Sequence, residues 1–158
     1  MKLLEIIVTD AIEPNLEASS RDDAISTLVD RLIEAKAVKM DLRDEFIKSI
    51  IKREKRGSTG FGHGVAVPHV KHADIEKLVA AIGVSKEGID FNALDGNPVH
   101  SIFLIISPDQ KPEEHLEAME AVFSNLSQDT FRRFLLQATS VEEVTTLLEE
   151  ADSSTLDN

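Results

Sequence analysis

The chain has 158 residues, 42% hydrophobic and 29% charged, the composition of one soluble globular domain. It has no cysteine, which excludes a disulfide framework, a thiol nucleophile and a cysteine zinc site. Acidic side chains outnumber basic ones 29 to 17, a net charge of −12. That charge repels phosphate backbones and anionic lipid, so neither a nucleic acid partner nor membrane insertion is expected.

The apolar runs are far shorter than a membrane span. Met1-Lys2-Leu3-Leu4-Glu5 reaches an acid too early for a signal peptide, so a cytoplasmic location is expected. Residues 1–19 read as a short apolar turn, then an extended piece near Asn15–Ala18. Ser20 is a good N-cap, and Ile25, Leu28, Val29, Leu32 and Ile33 follow at helical spacing, predicting an amphipathic helix from Ser20 to about Ala37. Asp41 is expected to cap a second helix bearing Phe46, Ile47, Ile50 and Ile51, which ends in Lys52-Arg53-Glu54-Lys55-Arg56 and stops at Gly57.

From Gly57 to Pro68 the chain turns glycine-rich, with Val65-Ala66-Val67 as a short strand ended by Pro68. Leu78–Ser85 reads as a buried strand. A turn at Leu94–Asn97 leads into Val99–Ser107, apolar on both faces and therefore central in its sheet. Pro112 fits the first position of a helix whose apolar stripe is Leu116, Met119, Val122, Phe123 and Leu126. A shorter helix holds Phe131, Phe134 and Leu135. Ser140 and Glu143 form a capping box for a last helix burying Val141, Val144, Leu147 and Leu148. The reading is a single α/β domain over residues 1–152, a mixed β-sheet flanked by helices on both faces, with a frayed polar tail at 153–158.

Three histidines, His63, His69 and His72, lie within ten residues of one another, but their spacing is not that of a zinc helix, and the segment needs no metal to explain it. The glycine run lacks the Gly-Lys-Ser/Thr ending of a P-loop and follows a helix into a strand, the reverse of the dinucleotide fingerprint. Gly57-Ser58-Thr59-Gly60 misses the spacing of a serine nucleophile elbow. Histidine itself remains as a nucleophile toward phosphorus. Such a site needs an imidazole fixed in one tautomer, donors for phosphoryl oxygens and a balancing cation. His69 can supply the first, the glycine loop and Thr59 the second, Arg53 the third. Spacing alone fits Arg53 better as a cation complementing the helix C-terminus, and Thr59 serves equally as a local turn hydroxyl. His115 lies in the first turn of the Pro112 helix, where the dipole favours a neutral ring; an exposed histidine at a helix start fits the spacing as well.

The segment from Arg53-Glu54 through Gly57-Ser58-Thr59-Gly60-Phe61-Gly62-His63-Gly64-Val65-Ala66-Val67-Pro68-His69 resembles the signature of the fructose–mannitol class of enzyme IIA proteins (type-2 IIA). These belong to the bacterial phosphoenolpyruvate-dependent phosphotransferase system and include the nitrogen-regulatory IIA proteins. Arg53 and His69 are sixteen positions apart, and His115-Leu116 matches the family's second His-Leu pair forty-six positions further on. The resemblance implies a mixed sheet flanked by helices. It implies that His69 accepts a phosphoryl group from the histidine phosphocarrier protein, that Arg53 and His115 hold the phosphoryl oxygens, and that Thr59 and Gly62 shape the loop. It implies no metal and no other cofactor, and as target either a IIB domain or a regulatory protein. His63 and Val70-Lys71 depart from the pattern, leaving the subtype open. A chain without a fused IIB or membrane domain is expected to be the nitrogen-regulatory type; the alternative is a sugar-specific IIA passing phosphate to IIB. An acidic interaction module with a dead site is the third reading.

Overall fold

A computed structural model describes residues 1–154. Its elements are α1 (Leu3–Ile6), β1 (Ile7–Glu13), α2 (Arg21–Glu34), a 3-10 turn (Met40–Leu42), α3 (Arg43–Arg56), β2 (Gly60–Gly62), β3 (Val65–Ala66), β4 (His69–His72), β5 (Val79–Ile89), β6 (Val99–Pro108), α4 (Pro112–Leu126), α5 (Asp129–Gln137) and α6 (Val141–Ser154). Six strands form one mixed sheet in the order β1-β5-β6-β3-β2, with β4 also on β6. β5 and β6 are antiparallel, while β3 and β4 both run parallel to β6.

Strand β6 shows why helices cover both faces. Every residue in it is buried except the half-buried His100. Ile102, Leu104 and Ile106 join the cluster built by α2 and α3; Phe103 and Ile105, on the opposite face, join that of α4, α5 and α6. A strand's period of two turns one apolar run into two cores. The central position expected from its hydropathy is the one observed.

Helix α2 starts as its sequence predicts: the Ser20 hydroxyl accepts from the Asp23 N–H at 3.1 Å. The capping box of α6 is half realised. Ser140 Oγ accepts from Glu143 N at 3.2 Å, but the Glu143 carboxylate reaches back to Thr139 N and Oγ1 instead of Ser140.

Several expectations are corrected. Residues 7–13 are a strand, β1, and not part of the expected apolar turn; Thr9 and Asp10 are exposed in its middle and its register with β5 shifts between Ile7 and Ile12, so the alternation is broken. Asp41 does not cap α3; it sits inside the 3-10 turn, and Leu42 occupies the N-cap position with no side-chain hydrogen bond. β5 continues past Ser85 through the exposed Lys86 and Glu87, where hydropathy stops but pairing resumes at Ile89. The buried stripe of α4 is His115, Ala118, Val122, Asn125 and Leu126, while Leu116 is 61% exposed. The helix is turned so that His115, not Leu116, meets the sheet. Ser153 and Ser154 belong to α6 and not to a frayed tail; the rest of the expected tail, 155–158, lies outside the described residues.

The termini are tied by a buried acid. Asp152 accepts from Leu3 N at 2.6 Å and Leu4 N at 3.0 Å, capping α1 from the other end of the chain.

Candidate functional site

Where β3 ends, Pro68 interrupts the chain and β4 resumes along the same neighbour, with His69 opposite Ile105 of β6. The step is held by Ile105 N donating to the Pro68 carbonyl at 3.0 Å. It also places the His69 ring over its own backbone, Nδ1 lying 2.8 Å from the Val67 carbonyl. A carbonyl only accepts, so Nδ1 carries the hydrogen and a neutral ring has its lone pair on Nε2. The ring is held neutral: burial lowers its pKa below the usual histidine value, and Arg53 and Lys71 act in the same direction against the Val67 carbonyl and Glu54.

His115 faces it from the first turn of α4. The two ring centroids are 5.5 Å apart, tilted at 51°. His115 is only 8% exposed, and its Nδ1 is 2.6 Å from the Ser107 hydroxyl. Burial first, then His69 and Lys71, push its pKa down to about 4. Burial, rather than the helix start invoked from sequence, leads the causes of this shift. A hydroxyl can donate or accept; in the tautomer where Ser107 donates to Nδ1, Nε2 carries the hydrogen and can offer it to an anion.

Arg53 closes its helix and also lines a cleft. One guanidinium N–H donates to the Gly57 carbonyl at 2.7 Å, closing the end of α3. The same side chain lines a cleft of about 480 Å³ with His69, Ser49, Lys52, Arg56, Val70 and Lys71. Gly57 itself has φ 165°, extended backbone that any residue adopts.

Glu54, next to Arg53, turns inward and is 2% exposed. Its two carboxylate oxygens accept from Thr59 N at 3.1 and 3.3 Å, and its Oε1 also accepts from the Thr59 hydroxyl. Thr59 is thus committed to Glu54 and is not among the residues lining the cleft. Gly62 has φ +115° and packs beside Asp95, where a Cβ would come within 3.4 Å of the carboxylate. It shapes the turn against residues 94–97 and does not line the cleft either. Of the five predicted site residues, the fold therefore joins His69 to Arg53 in one cleft and to His115 by ring contact, and holds Thr59 and Gly62 behind them.

The other histidines do not converge on His69. His72 lies 2.9 Å from Glu45, accepts from Asp74 N and meets Phe46 edge-on. His100 Nδ1 is bound to the Ser85 carbonyl at 2.8 Å. His63 sits at φ 59° and donates its backbone N–H to Asp95. Among the described residues, no three His, Asp or Glu side chains gather as a metal ion would require. Sequence reading missed the work of Glu54, Ser107 and Lys71. Only Glu54 left a signal, as an acid five residues before a loop threonine.

A neutral imidazole with a bare Nε2, beside a guanidinium and a second neutral imidazole, has the chemistry of a nucleophile with an anion-binding cation close by. Residues 5–151 match the family model described as phosphoenolpyruvate-dependent sugar phosphotransferase system, EIIA 2, and the chain belongs to that family. It is 33% identical over 152 residues to the fructose-specific EIIABC component of Bacillus subtilis, covering 96% of this chain but 24% of that protein. It is 34% identical to the fructose-specific EIIA component of Haloferax volcanii, over 84% of each chain. Among solved structures, the nitrogen regulatory protein IIA-Ntr of Neisseria meningitidis superposes with a TM-score of 0.82 at 31% identity, covering 91% of this chain and 97% of that one. The α/β fold with a mixed sheet between helices is thus that of type-2 IIA proteins. No described helix is long and apolar enough to cross a membrane.

Proposed function

We propose that this chain is a phosphohistidine carrier in which His69 Nε2 accepts a phosphoryl group from a histidine phosphocarrier protein. The observation that carries the reading is the Nδ1–H bond to the Val67 carbonyl, which leaves Nε2 bare beside Arg53. Transfer passes through a loose in-line transition state, so positioning and charge stabilisation supply most of the catalysis. The P–N bond on the donor breaks as a P–N bond forms to His69 Nε2; the departing electron pair stays on the donor's imidazole. The Nδ1–H bond to Val67 persists and disperses the charge that the ring gains. Arg53 and His115 Nε2–H hold the phosphoryl oxygens, and Glu54 fixes the loop through Thr59. Both residues at the phosphoryl group donate in fixed positions, which favours the transition state over either ground state.

The carrier is of the nitrogen-regulatory type, in which phosphorylation of His69 changes which protein the surface binds, by adding about two negative charges. The likeness to a IIA-Ntr structure over nearly the whole of both chains supports this reading. The fructose-specific relative matched over most of its length supports a second one, a sugar-specific IIA that passes phosphate to a IIB domain. The test is intact mass after incubation with phosphoenolpyruvate, enzyme I and the phosphocarrier, beside His69→Ala. One acid-labile adduct, absent in the variant, is the expected result; no adduct with a cognate donor refutes the carrier reading. Rapid discharge of the adduct onto a cognate fructose-type IIB domain selects the sugar reading over the regulatory one.

A further inference from the structure

Among the described residues, His72 is the one histidine with a partner on each ring nitrogen. The Asp74 N–H donates to Nδ1 at 3.0 Å, so the neutral ring carries its hydrogen on Nε2 and donates it to Glu45 Oε2 at 2.9 Å. The ring also stands edge-on to the buried Phe46, centroids 5.0 Å apart at 80°. Its orientation is thus set from three sides. The His72 carbonyl accepts from Asp109 N at 3.1 Å, where β6 runs out toward α4. One residue therefore joins the end of β4 to the first turn of α3 and to the connection leading into α4.

The elements it joins carry the site. Among the described strands, β4 pairs with β6 alone. Strand alternation turns Val70 and His72 toward α3, and His69 and Lys71 the other way: Val70 packs on the cluster of α2 and α3, while His69 meets His115 of α4. On α3, Glu45 shares one helix face with Ser49, Lys52, Arg53 and Arg56, all of which line the cleft over His69. From Glu45 to Arg53 the helix rises about 12 Å, and from His72 to His69 the strand spans about 10 Å. Helix and strand therefore run side by side over nearly the same length, His72 on Glu45 at one end and His69 near Arg53 at the other. We propose that the His72–Glu45 contact is a positioning contact, which fixes α3 along β4 and thereby sets Arg53 against His69. The proposal rests on the reading of His69 as phosphoryl acceptor. His72 touches no reacting group and acts through the helix; a misplacement of about 1 Å can cost up to ~100-fold in rate. The Glu45 side chain is 59% exposed, so the pair adds little to global stability, and its loss shows in transfer before it shows in melting.

The experiment is rapid-quench measurement of phosphoryl transfer from the cognate phosphorylated phosphocarrier, at varied donor concentration, for the full chain and for His72→Asn, His72→Gln and Glu45→Ala, each alone and combined with Arg53→Ala. Asparagine places an oxygen near the Nδ1 position and keeps the Asp74 bond, but falls short of Glu45. Glutamine places an amide nitrogen near the Nε2 position and keeps the Glu45 bond. His72→Asn and Glu45→Ala should lower the maximal rate about tenfold with the half-saturating donor concentration unchanged. His72→Gln should restore most of that rate. None of the three should add a further loss once Arg53 is alanine, because the contact acts through Arg53. A second readout needs no phosphoryl donor. Arg53 lowers the His69 pKa, so in His72→Asn the His69 titration followed by NMR should move up, and in the Arg53→Ala background it should not move further. A wild-type rate in His72→Asn overturns the positioning role, whatever the titration does, while the acceptor reading stands. A rate loss of equal size with and without Arg53, or no rescue by His72→Gln, assigns His72 to the fold alone and also overturns it. A wild type that takes up no phosphoryl group overturns both.

Discussion

Replacing Glu54 by Gln tests whether an acid that touches no phosphoryl group nevertheless organises the site. The carboxylate is 2% exposed and takes both donors of Thr59, itself only 9% exposed. Glutamine keeps one oxygen, which can retain the bond from the Thr59 hydroxyl. Its amide nitrogen then faces the Thr59 N–H, donor against donor. A buried hydrogen bond to a charged group contributes roughly 1.5–3 kcal/mol, so a loss of about 2 kcal/mol follows. For a domain of this size that lowers Tm by roughly 4–8 °C. A second effect has a defined sign. Glu54 raises the His69 pKa against burial and Arg53, so the neutral glutamine should move the His69 titration further down. Urea melts give the stability change as a shift in midpoint at constant slope, and the His69 ring signals give the titration by NMR. A midpoint and a His69 titration both identical to wild type would refute the argument that Glu54 anchors the loop.

Arg53→Ala should slow phosphoryl transfer by about two orders of magnitude, the cost of one lost transition-state donor, with only a small change in melting temperature from the freed Gly57 carbonyl; single-turnover kinetics check it, and an unchanged rate returns Arg53 to helix capping alone. The histidine pair should make the protein acid-sensitive. His115 binds its proton at about pH 4 in the native state and near 6.5 when unfolded, so its contribution is intact above pH 6.5 and drains away as pH falls toward 4. The loss is on the order of 2 kcal/mol after discounting residual solvent contact, with His69 shifting in the same direction. His115→Gln should flatten the stability profile across that window, and a profile parallel to wild type would contradict the assignment. Asp152→Ala removes two charge-assisted bonds to the N-terminus of α1 and should cost roughly 2–4 kcal/mol, with amide exchange at Leu3 and Leu4 accelerating before that of the sheet; protection of those two amides at wild-type levels would contradict it.

What sequence reading recovered and what it missed divide along physical lines. Long periodic helices and the doubly apolar β6 were legible because each carries its own burial pattern over ten or more residues. β1 was not, since a strand with exposed Thr9 and Asp10 and a shifted register has no period to read. The α4 stripe was misplaced for a related reason. Scoring by hydropathy favours Leu116 over His115, yet the polar ring is the one buried, because Ser107 meets its Nδ1 beneath the helix. The site followed the same rule. His69, Arg53 and His115 were legible as a motif, while Ser107 and Lys71 became visible only once β4 lay against β6.

That pairing also explains why the two histidines meet at all. Lys71 is opposite Ser107 in the parallel register of β4 on β6, and His69 lies two residues earlier opposite Ile105. α4 begins four residues after β6 ends, so its first turn must fold back over the end of that strand. Ser107 thereby lies beneath His115, and the neighbouring strand brings His69 up beside it. The meeting of His69 with His115, and the place of Lys71 two residues on, are consequences of one strand pairing and one short connection. Arg53 comes from elsewhere, the last turn of α3, and reaches the cleft because its own carbonyl cap at Gly57 holds the side chain at the helix end. A substitution that shifts β4 by one residue would turn His69 away from α4 and Val70 toward it. The site should therefore fail through register before it fails through the loss of any single phosphoryl contact other than His69.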